Sequence, residues 1–330
     1  MTFLLESTFW ISLLAAGIRI ATPLLLASLG ETVGERAGLL NAGVEGMMVL
    51  GAIFGFFGVY VSGEPLVGFA IGVVAGAVIG LIFGMITVVR GADQVVTGIV
   101  LNIFALALAA YFYQRMFASA NQVPQLTSMA AYRVPYLSTL PFVGRALFAQ
   151  KPIVYFTFLL VPVFWLVLDY SRWGLNVKAV GENPEAVDSA GVNVWAIRMQ
   201  AAMIGGAMAG LAGATIAIDQ VGAYVDGMIA GRGFIVLAIV VFGGWRPWSV
   251  AAACILFGAT DALQLRLQIS GIGLPNQLLV ALPYIFTIIV VAVVAHRGGY
   301  PSAINRPYLR RHRAEFAARE RKVSAALAAK

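Results

Sequence analysis

The chain has 330 residues, of which 60% are hydrophobic and 11% are charged, and it carries a formal net charge of +7. Soluble domains average about 45–50% apolar and about 25% charged residues, so this composition excludes a water-soluble globule. The single cysteine, Cys254, excludes an internal disulfide and a thiolate metal site, and we expect no metal site in this chain.

Apolar runs recur along the chain and predict an all-α, polytopic membrane domain over residues 1–295. A spanning helix needs roughly 20 apolar residues, which gives about nine spans and between about eight and ten. The seventh run, GFIVLAIVVFGG, has only twelve residues, so we expect it to belong to a broken or re-entrant helix. The predicted spans lie at 8–29, 39–61, 66–89, 94–118, 152–170, 196–218, 233–244, 248–269 and 276–295.

The distribution of Lys and Arg predicts the orientation. Residues 296–330 form a basic tail that holds nine of the chain's 22 Lys and Arg, and the positive-inside rule assigns such a tail to the cytoplasm. Threading the spans back from this tail puts the N-terminus outside and residues 119–151 in an outer loop. The segments 30–38, 90–93, 171–195 and 245–247 fall inside. We expect the tail to contact anionic membrane lipid and no nucleic acid.

The stretch GENPEAVDSAGV has the local chemistry of a short helix on the inner side, at about 182–190. Asn183 is a good N-cap, Pro184 fits the first helical position, and Gly191 can close the C-terminus. Glu185 and Asp188 favour the positive end of the helix dipole. Such a short helix needs a surface to pack on, and it is either a solvated loop turn or a coupling helix that inserts into a partner.

Ionisable side chains within the spans usually face protein or a hydrated cavity. We expect Arg19 and Glu45 to form an ion pair or to share such a cavity. The amides of Asn41, Gln94 and Asn102 could bind a hydroxylated solute along a translocation path, or they could join helices to one another. Asp261, in the eighth span, is a further candidate for the path.

Five blocks of sequence resemble the membrane permease subunits of ATP-binding-cassette importers of the ribose and branched-chain amino-acid type. The resemblance is greatest to the nucleoside and simple-sugar subgroup, and it extends over most of the chain in the expected order. The blocks are ATPLLLASLGETVGERAGLLNAGVEGMMVLGA, GADQVVTGIVLN, GENPEAVDSAGV, GRGFIVLAIVVFGGWRP, and FGATDALQLRLQ with PNQLLVALPY.

The resemblance implies a multi-pass protein of a bacterial-type inner membrane that carries a small hydrophilic solute, a nucleoside or simple sugar. It further implies ATPase subunits, a second homologous permease and an extracytoplasmic binding protein as partners, with ATP and Mg bound by the ATPase and no cofactor here. The residues implied to contact the ATPase are Gly181, Glu182, Asn183, Pro184, Glu185, Ala186, Asp188, Ala190 and Gly191.

No lysine of the chain lies in a GK[ST] phosphate loop, so the sequence predicts no ATPase and no enzyme in this polypeptide. One alternative is a secondary transporter in which Glu45 or Asp219 carries an ion. Another is an intramembrane enzyme or a scaffold subunit. GMMVLGAIFG and GFIVLAIVVFG echo each other across an odd number of predicted spans, which indicates an inverted repeat.

Overall fold

The computed structural model describes residues 7–117, 147–269 and 299–308 continuously, with shorter stretches between 125 and 144 and between 275 and 288. Within these residues the chain is almost entirely helical, and one two-residue antiparallel pair joins β1 (Tyr132–Arg133) to β2 (Ala149–Gln150). The helices are α1 (Ser7–Arg36), α2 (Val44–Ser62), α3 (Pro65–Gly84), α4 (Gln94–Phe117), α5 (Pro152–Tyr170), α6 (Arg172–Glu182), α7 (Pro184–Ser189), α8 (Val194–Thr215), α9 (Arg232–Phe242) and α10 (Pro247–Ile269). Single π-helical turns continue α3 over Met85–Val89 and α8 over Ile216–Val221.

The all-α, multi-pass membrane class is confirmed. In the part of the chain that the structure describes, seven helices are long and apolar enough to cross a bilayer: α1 to α5, α8 and α10. The predicted short seventh run forms α9, of eleven residues, which is too short to cross as a regular helix. The ninth predicted span, 276–295, lies largely outside the described residues, so the count of about nine stays approximate.

Two predicted boundaries were wrong, and both errors concern one break in the helical structure. Helix α1 continues to Arg36 instead of ending at 29, and α2 begins at Val44 instead of 39, with residues 37–43 non-helical between them. The polar run GETVGER ends the hydropathy signal early, yet Glu31 and Glu35 are only 1% and 0% exposed. Their carboxylates have bonding partners inside the protein, so the helix continues through them.

Glycines allow α3 and α8 to pack with their backbones in contact. Gly76 and Gly80 of α3 face Gly206 and Gly210 of α8, and a Cβ on Gly206 would lie 2.8 Å from the Cα of Gly80. Small residues at helix interfaces are how membrane helices approach closely where the lipid supplies no hydrophobic drive. These contacts lie in the C-terminal half of α8 and hold α3 and α8 together.

Residues 299–308, which we call the clasp segment, join the ends of several helices on one side of the protein. The amide of Ala303 donates to the Gly181 carbonyl at 2.8 Å, and that of Asn305 donates to the Gly38 carbonyl at 3.2 Å. The rings of Trp245 and Tyr300 lie 5.1 Å apart. Segments that the charge distribution assigns to the inner side therefore meet at one end of the helical bundle.

Candidate translocation and coupling site

The three amides predicted on the path hold the break between α1 and α2 together. Gln94 accepts from the amide of Leu40 at 2.6 Å, and the Asn41 side chain accepts from the amide of Gly43 at 3.0 Å. Asn102 accepts from the amide of Gly46 at 2.7 Å and donates to the carbonyl of Ala42 at 2.8 Å.

All three of these amides are buried, at 8% exposure or less. Buried backbone groups outside a helix need such partners, so the amides satisfy the non-helical residues 37–43 and the first turn of α2. In this arrangement all three bind backbone within the protein, and Gln94 and Asn102 join α4 to the break, whereas Asn41 lies in the break itself; a role on the translocation path stays a prediction.

Glu45 does not pair with Arg19 but caps the start of the short helix α9. Its two carboxylate oxygens accept from the amides of Gly231 and Gly233, at 2.9 and 2.7 Å. These are the otherwise unsatisfied donors at a helix N-terminus, where the helix dipole favours a negative charge. Glu45 thus joins the start of α2 to the start of α9, the two segments whose sequences echo each other; the inverted relation of the two halves stays a prediction.

Arg19 lies elsewhere, in the N-terminal half of α1, whereas the clasp segment lies at the C-terminal end of that helix. Its carbonyl accepts from Gln220 at 2.7 Å, and its side chain lines a cavity of about 390 Å³ together with Lys151 and Asp219. Lys151 and Asp219 form an ion pair at 3.2 Å. The expected pair of Arg19 with Glu45 is therefore not formed, because the Glu45 carboxylate is held by backbone amides on the other broken helix.

Asp261 lies beside the start of α9, in a small cavity of about 230 Å³. It faces Arg232, with 3.8 Å between its Oδ2 and the Nη2 of that arginine, and Gln264 also lines the cavity. Transporters built with broken helices bind solute where the helices are interrupted. Ligand pockets usually measure about 300–1,000 Å³, so this cavity is the size of part of a site. Arg232 and Gln264 were not predicted; the available signals were the place of Arg232 directly before the short run and the spacing of Gln264, three residues after Asp261 on the same helix.

Two buried carboxylates near the C-terminal end of α1 were also missed. Glu31 accepts from the amide of Asn41 at 3.2 Å, and Glu35 accepts from the indole nitrogen of Trp245 at 2.5 Å. They lie four residues apart and therefore share a face of α1. Through them α1 holds both the break at 37–43 and the turn before α10. The spacing in GETVGER was the signal that could have found them.

The predicted coupling helix has the local structure that its sequence indicates. The Asn183 side chain accepts from the amide of Ala186 at 3.0 Å, Pro184 is the first helical residue, and Gly191 has a φ of +85°. Val187 is buried against the protein, whereas Glu185, Ala186, Ser189 and Ala190 are exposed. The helix thus packs on one side and presents the other.

The residues before this helix are anchored to the clasp segment. Gly181 is buried, and a Cβ there would overlap the carbonyl of Arg36. Glu182 accepts from the Ser302 hydroxyl at 2.9 Å. Arg198, only 1% exposed, donates to the carbonyls of Ala37 and Arg306 at 3.1 and 2.9 Å. The exposed helix is therefore fixed to the first residues of the break after α1.

A multi-pass helical bundle with interrupted helices and polar groups at the interruptions is the architecture of a membrane transporter. Residues 13–294 match the family described as branched-chain amino acid transport system / permease component, and the chain belongs to this family.

Curated relatives carry transport names. The chain is 38% identical to a putative glucose ABC transporter permease protein, TsgC13, of Haloferax volcanii, over 92% of this chain and 99% of the relative. It is 35% identical to the nucleoside ABC transporter permease protein NupC of Lactococcus lactis, and 31% identical to the guanosine ABC transporter permease protein NupQ of Bacillus subtilis. Each of these two matches covers 88% of this chain and 94% of the relative. No solved structure matches the chain.

Proposed function

We propose that this chain forms part of the translocation path of an ATP-driven importer and carries a neutral, hydroxyl-rich solute, a nucleoside or simple sugar. The names of the relatives support this class of solute. The cavity beside α9, with Arg232, Asp261 and Gln264, offers donors and acceptors for hydroxyl groups or a base edge. Its small volume agrees with a path completed by a second, homologous permease.

The observation that carries the choice of solute is the position of Glu45. A transporter that binds a carboxylate can receive it at the positive N-terminus of an interrupted helix. Here the amides of Gly231 and Gly233 already donate to Glu45, so the start of α9 is neutralised from within the chain. This arrangement disfavours an amino acid carboxylate at α9 and favours an uncharged solute.

The proposal assigns the exposed face of α7 to an ATPase subunit that binds ATP and Mg. A capped, protruding helix on the side of the basic segments supports this role, as does its attachment to the clasp segment. In this orientation the C-terminus is cytoplasmic, the N-terminus is outside, and an extracytoplasmic binding protein delivers the solute to the opposite end.

The alternative of an ion-driven carrier finds less support in the same contacts. Its two candidate carboxylates are both engaged, Glu45 by backbone amides and Asp219 by Lys151. A carrier of this kind needs a carboxylate that binds and releases an ion during the cycle, and neither contact leaves one available.

Uptake by reconstituted vesicles tests the proposal. With the sister permease, the ATPase and the binding protein present, we expect ATP-dependent uptake of a nucleoside or sugar, with leucine failing to compete. Uptake by this chain alone under an ion gradient would overturn the ATP-driven mechanism. Competition by leucine at equal concentration would overturn the choice of solute.

A pair of capping variants tests the coupling role. Asn183 caps the six-residue helix α7, and Asn193 caps the 22-residue helix α8 in the same way, with acceptor distances of 3.0 and 3.1 Å. Removing an N-cap costs about 1 kcal/mol, which a short helix tolerates far less than a long one. We expect Asn183→Ala to reduce ATP-dependent uptake several-fold and Asn193→Ala to leave it near the wild-type rate. Equal effects of the two variants would contradict the role of α7.

A further inference from the structure

A polar cavity of about 580 Å³ lies at the clasp end of the bundle, apart from the breaks at 37–43 and before α9. It opens between the ends of α1, α5 and α6 and the start of α10. Three cations (Arg36, Lys178, Arg246) and three tryptophans (Trp165, Trp245, Trp248) line it. Neither the translocation path nor the coupling helix uses this cavity.

The lining of the cavity is positively charged. Lys178 is paired with Asp169, the carboxylate in the lining, so the two guanidinium groups of Arg36 and Arg246 leave a net charge of +2. Arg246 is exposed, whereas Arg36 is partly buried and donates to the Trp245 carbonyl at 3.3 Å. Planar guanidinium groups bind phosphate oxygens well, and two of them at one cavity favour a phosphate-containing ligand.

The surroundings of the cavity are those of a membrane interface. Trp248 is 54% exposed and its ring lies 6.5 Å from that of Trp165, and tryptophans collect at the level of the lipid headgroups. From the cavity an apolar stripe runs along α10: it begins at Trp248, which lines the cavity, and continues at Ala252 and Leu256, which are exposed and lie four and eight residues further on.

We propose that this cavity binds the phosphodiester headgroup of an anionic phospholipid, whose acyl chains lie along the stripe on α10. A soluble phosphate would use the cations but would leave the adjoining stripe without a role. An anionic lipid accounts for both features, because its charged headgroup would occupy the cavity and the attached acyl chains would lie along the stripe. Basic pockets between helices on the cytoplasmic side bind such headgroups elsewhere. The proposal does not depend on the solute that is carried.

The test uses the full chain in nanodiscs and counts retained lipids by native mass spectrometry. We expect phosphatidylglycerol to be retained in preference to phosphatidylcholine. Arg246→Gln removes an exposed cation of the cavity, and a cation near an anionic surface contributes about 1 kcal/mol, so we expect about a fivefold loss of phosphatidylglycerol affinity. Arg90→Gln, an exposed arginine in another segment predicted inside and outside the cavity, is the matched control and should leave retention unchanged.

A second measurement needs no variant. Phosphatidylglycerol added to the wild-type protein in phosphatidylcholine should raise its melting temperature, and millimolar inorganic phosphate should neither mimic nor reverse the rise. Displacement of the lipid by inorganic phosphate would show that the cavity is a general anion site and not a lipid site. Equal retention by Arg246→Gln and Arg90→Gln would overturn the assignment. Unchanged retention with lost ATPase binding in Arg246→Gln would reassign the cavity to protein docking.

Discussion

Replacing Glu45 by Gln tests the contact that joins the two broken helices. The two side chains have nearly the same shape, but an amide offers one acceptor oxygen in place of two. In the native protein the two carboxylate oxygens accept from the amides of Gly231 and Gly233. In Glu45→Gln one of these donors faces an NH₂ group and loses its partner, and the charge at the N-terminus of α9 disappears.

The cost follows from two contributions. A hydrogen bond to a charged group contributes about 1.5–3 kcal/mol, and a charge at a helix N-terminus contributes about 0.3–1 kcal/mol at exposed sites and up to about 2 when partly buried. The contributions overlap, because the same oxygens make both, and one hydrogen bond survives in neutral form. We therefore expect Glu45→Gln to lower the free energy of unfolding by about 2–3 kcal/mol.

Denaturation in mixed micelles measures the stability of the purified chain, and hydrogen exchange reports on α9 directly. We expect the amides of Gly231 and Gly233 to exchange at least tenfold faster in Glu45→Gln than in the wild type. We also expect solute uptake by this variant to fall. Glu64→Gln is the control. Glu64 occupies the N-cap position of α3, but it is exposed and its side chain accepts no hydrogen bond from the helix. Stability within about 0.5 kcal/mol of wild type together with intact uptake would refute the role of Glu45.

Two further pairs of variants test the packing of the bundle. Gly206→Ala puts a Cβ against the α3 backbone and should lower the free energy of unfolding by about 1–3 kcal/mol. Gly205→Ala is the control: the nearest contact of its Cβ would be at 3.6 Å, so it should be neutral or slightly stabilising. Equal effects of the two variants on thermal melting would argue against the close approach of α3 and α8. Trp245→Phe leaves the buried Glu35 carboxylate without its indole donor and should lower the free energy of unfolding by about 1–3 kcal/mol. Trp173→Phe removes a 2.7 Å hydrogen bond at an exposed site and should lower it by less than about 1 kcal/mol in the same assay. A smaller loss for Trp245→Phe than for Trp173→Phe would contradict the buried contact.

Sequence alone was sufficient for the features with a local cause. Hydropathy located each described spanning helix, because about 20 apolar residues in a row have few alternatives to crossing the bilayer. The shortness of the seventh run predicted α9 as an interrupted helix. Asn183, Pro184 and Gly191 predicted the ends of α7, since capping depends on residues three or four positions apart.

The roles of the polar residues within the membrane could not be predicted in the same way. Gln94 bonds a backbone amide 54 residues away, Asn102 one 56 residues away, and Glu45 two that lie 186 and 188 residues away. The partners are main-chain groups, which every residue carries, so no pattern in the sequence marks them. Pairing Arg19 with Glu45 followed from opposite charge alone, and charge does not reveal that backbone donors already satisfy Glu45.

In the proposed coupling role, movement of α7 would reach α9 through a short series of contacts. The contacts in between are largely made by the main chain: Gly181 with Ala303, Gly38 with Asn305, and then residues 37–43 up to Glu45. A change in the side chain of Ala303 keeps its amide bond to Gly181, whereas a methyl group at Gly181 would overlap the Arg36 carbonyl. Gly38, with a φ of +83°, adopts a conformation that other residues resist. In the proposed coupling role, force applied at α7 would pass through positions where glycine permits backbone contact, and it would reach Glu45, the carboxylate that joins the start of α2 to the start of α9.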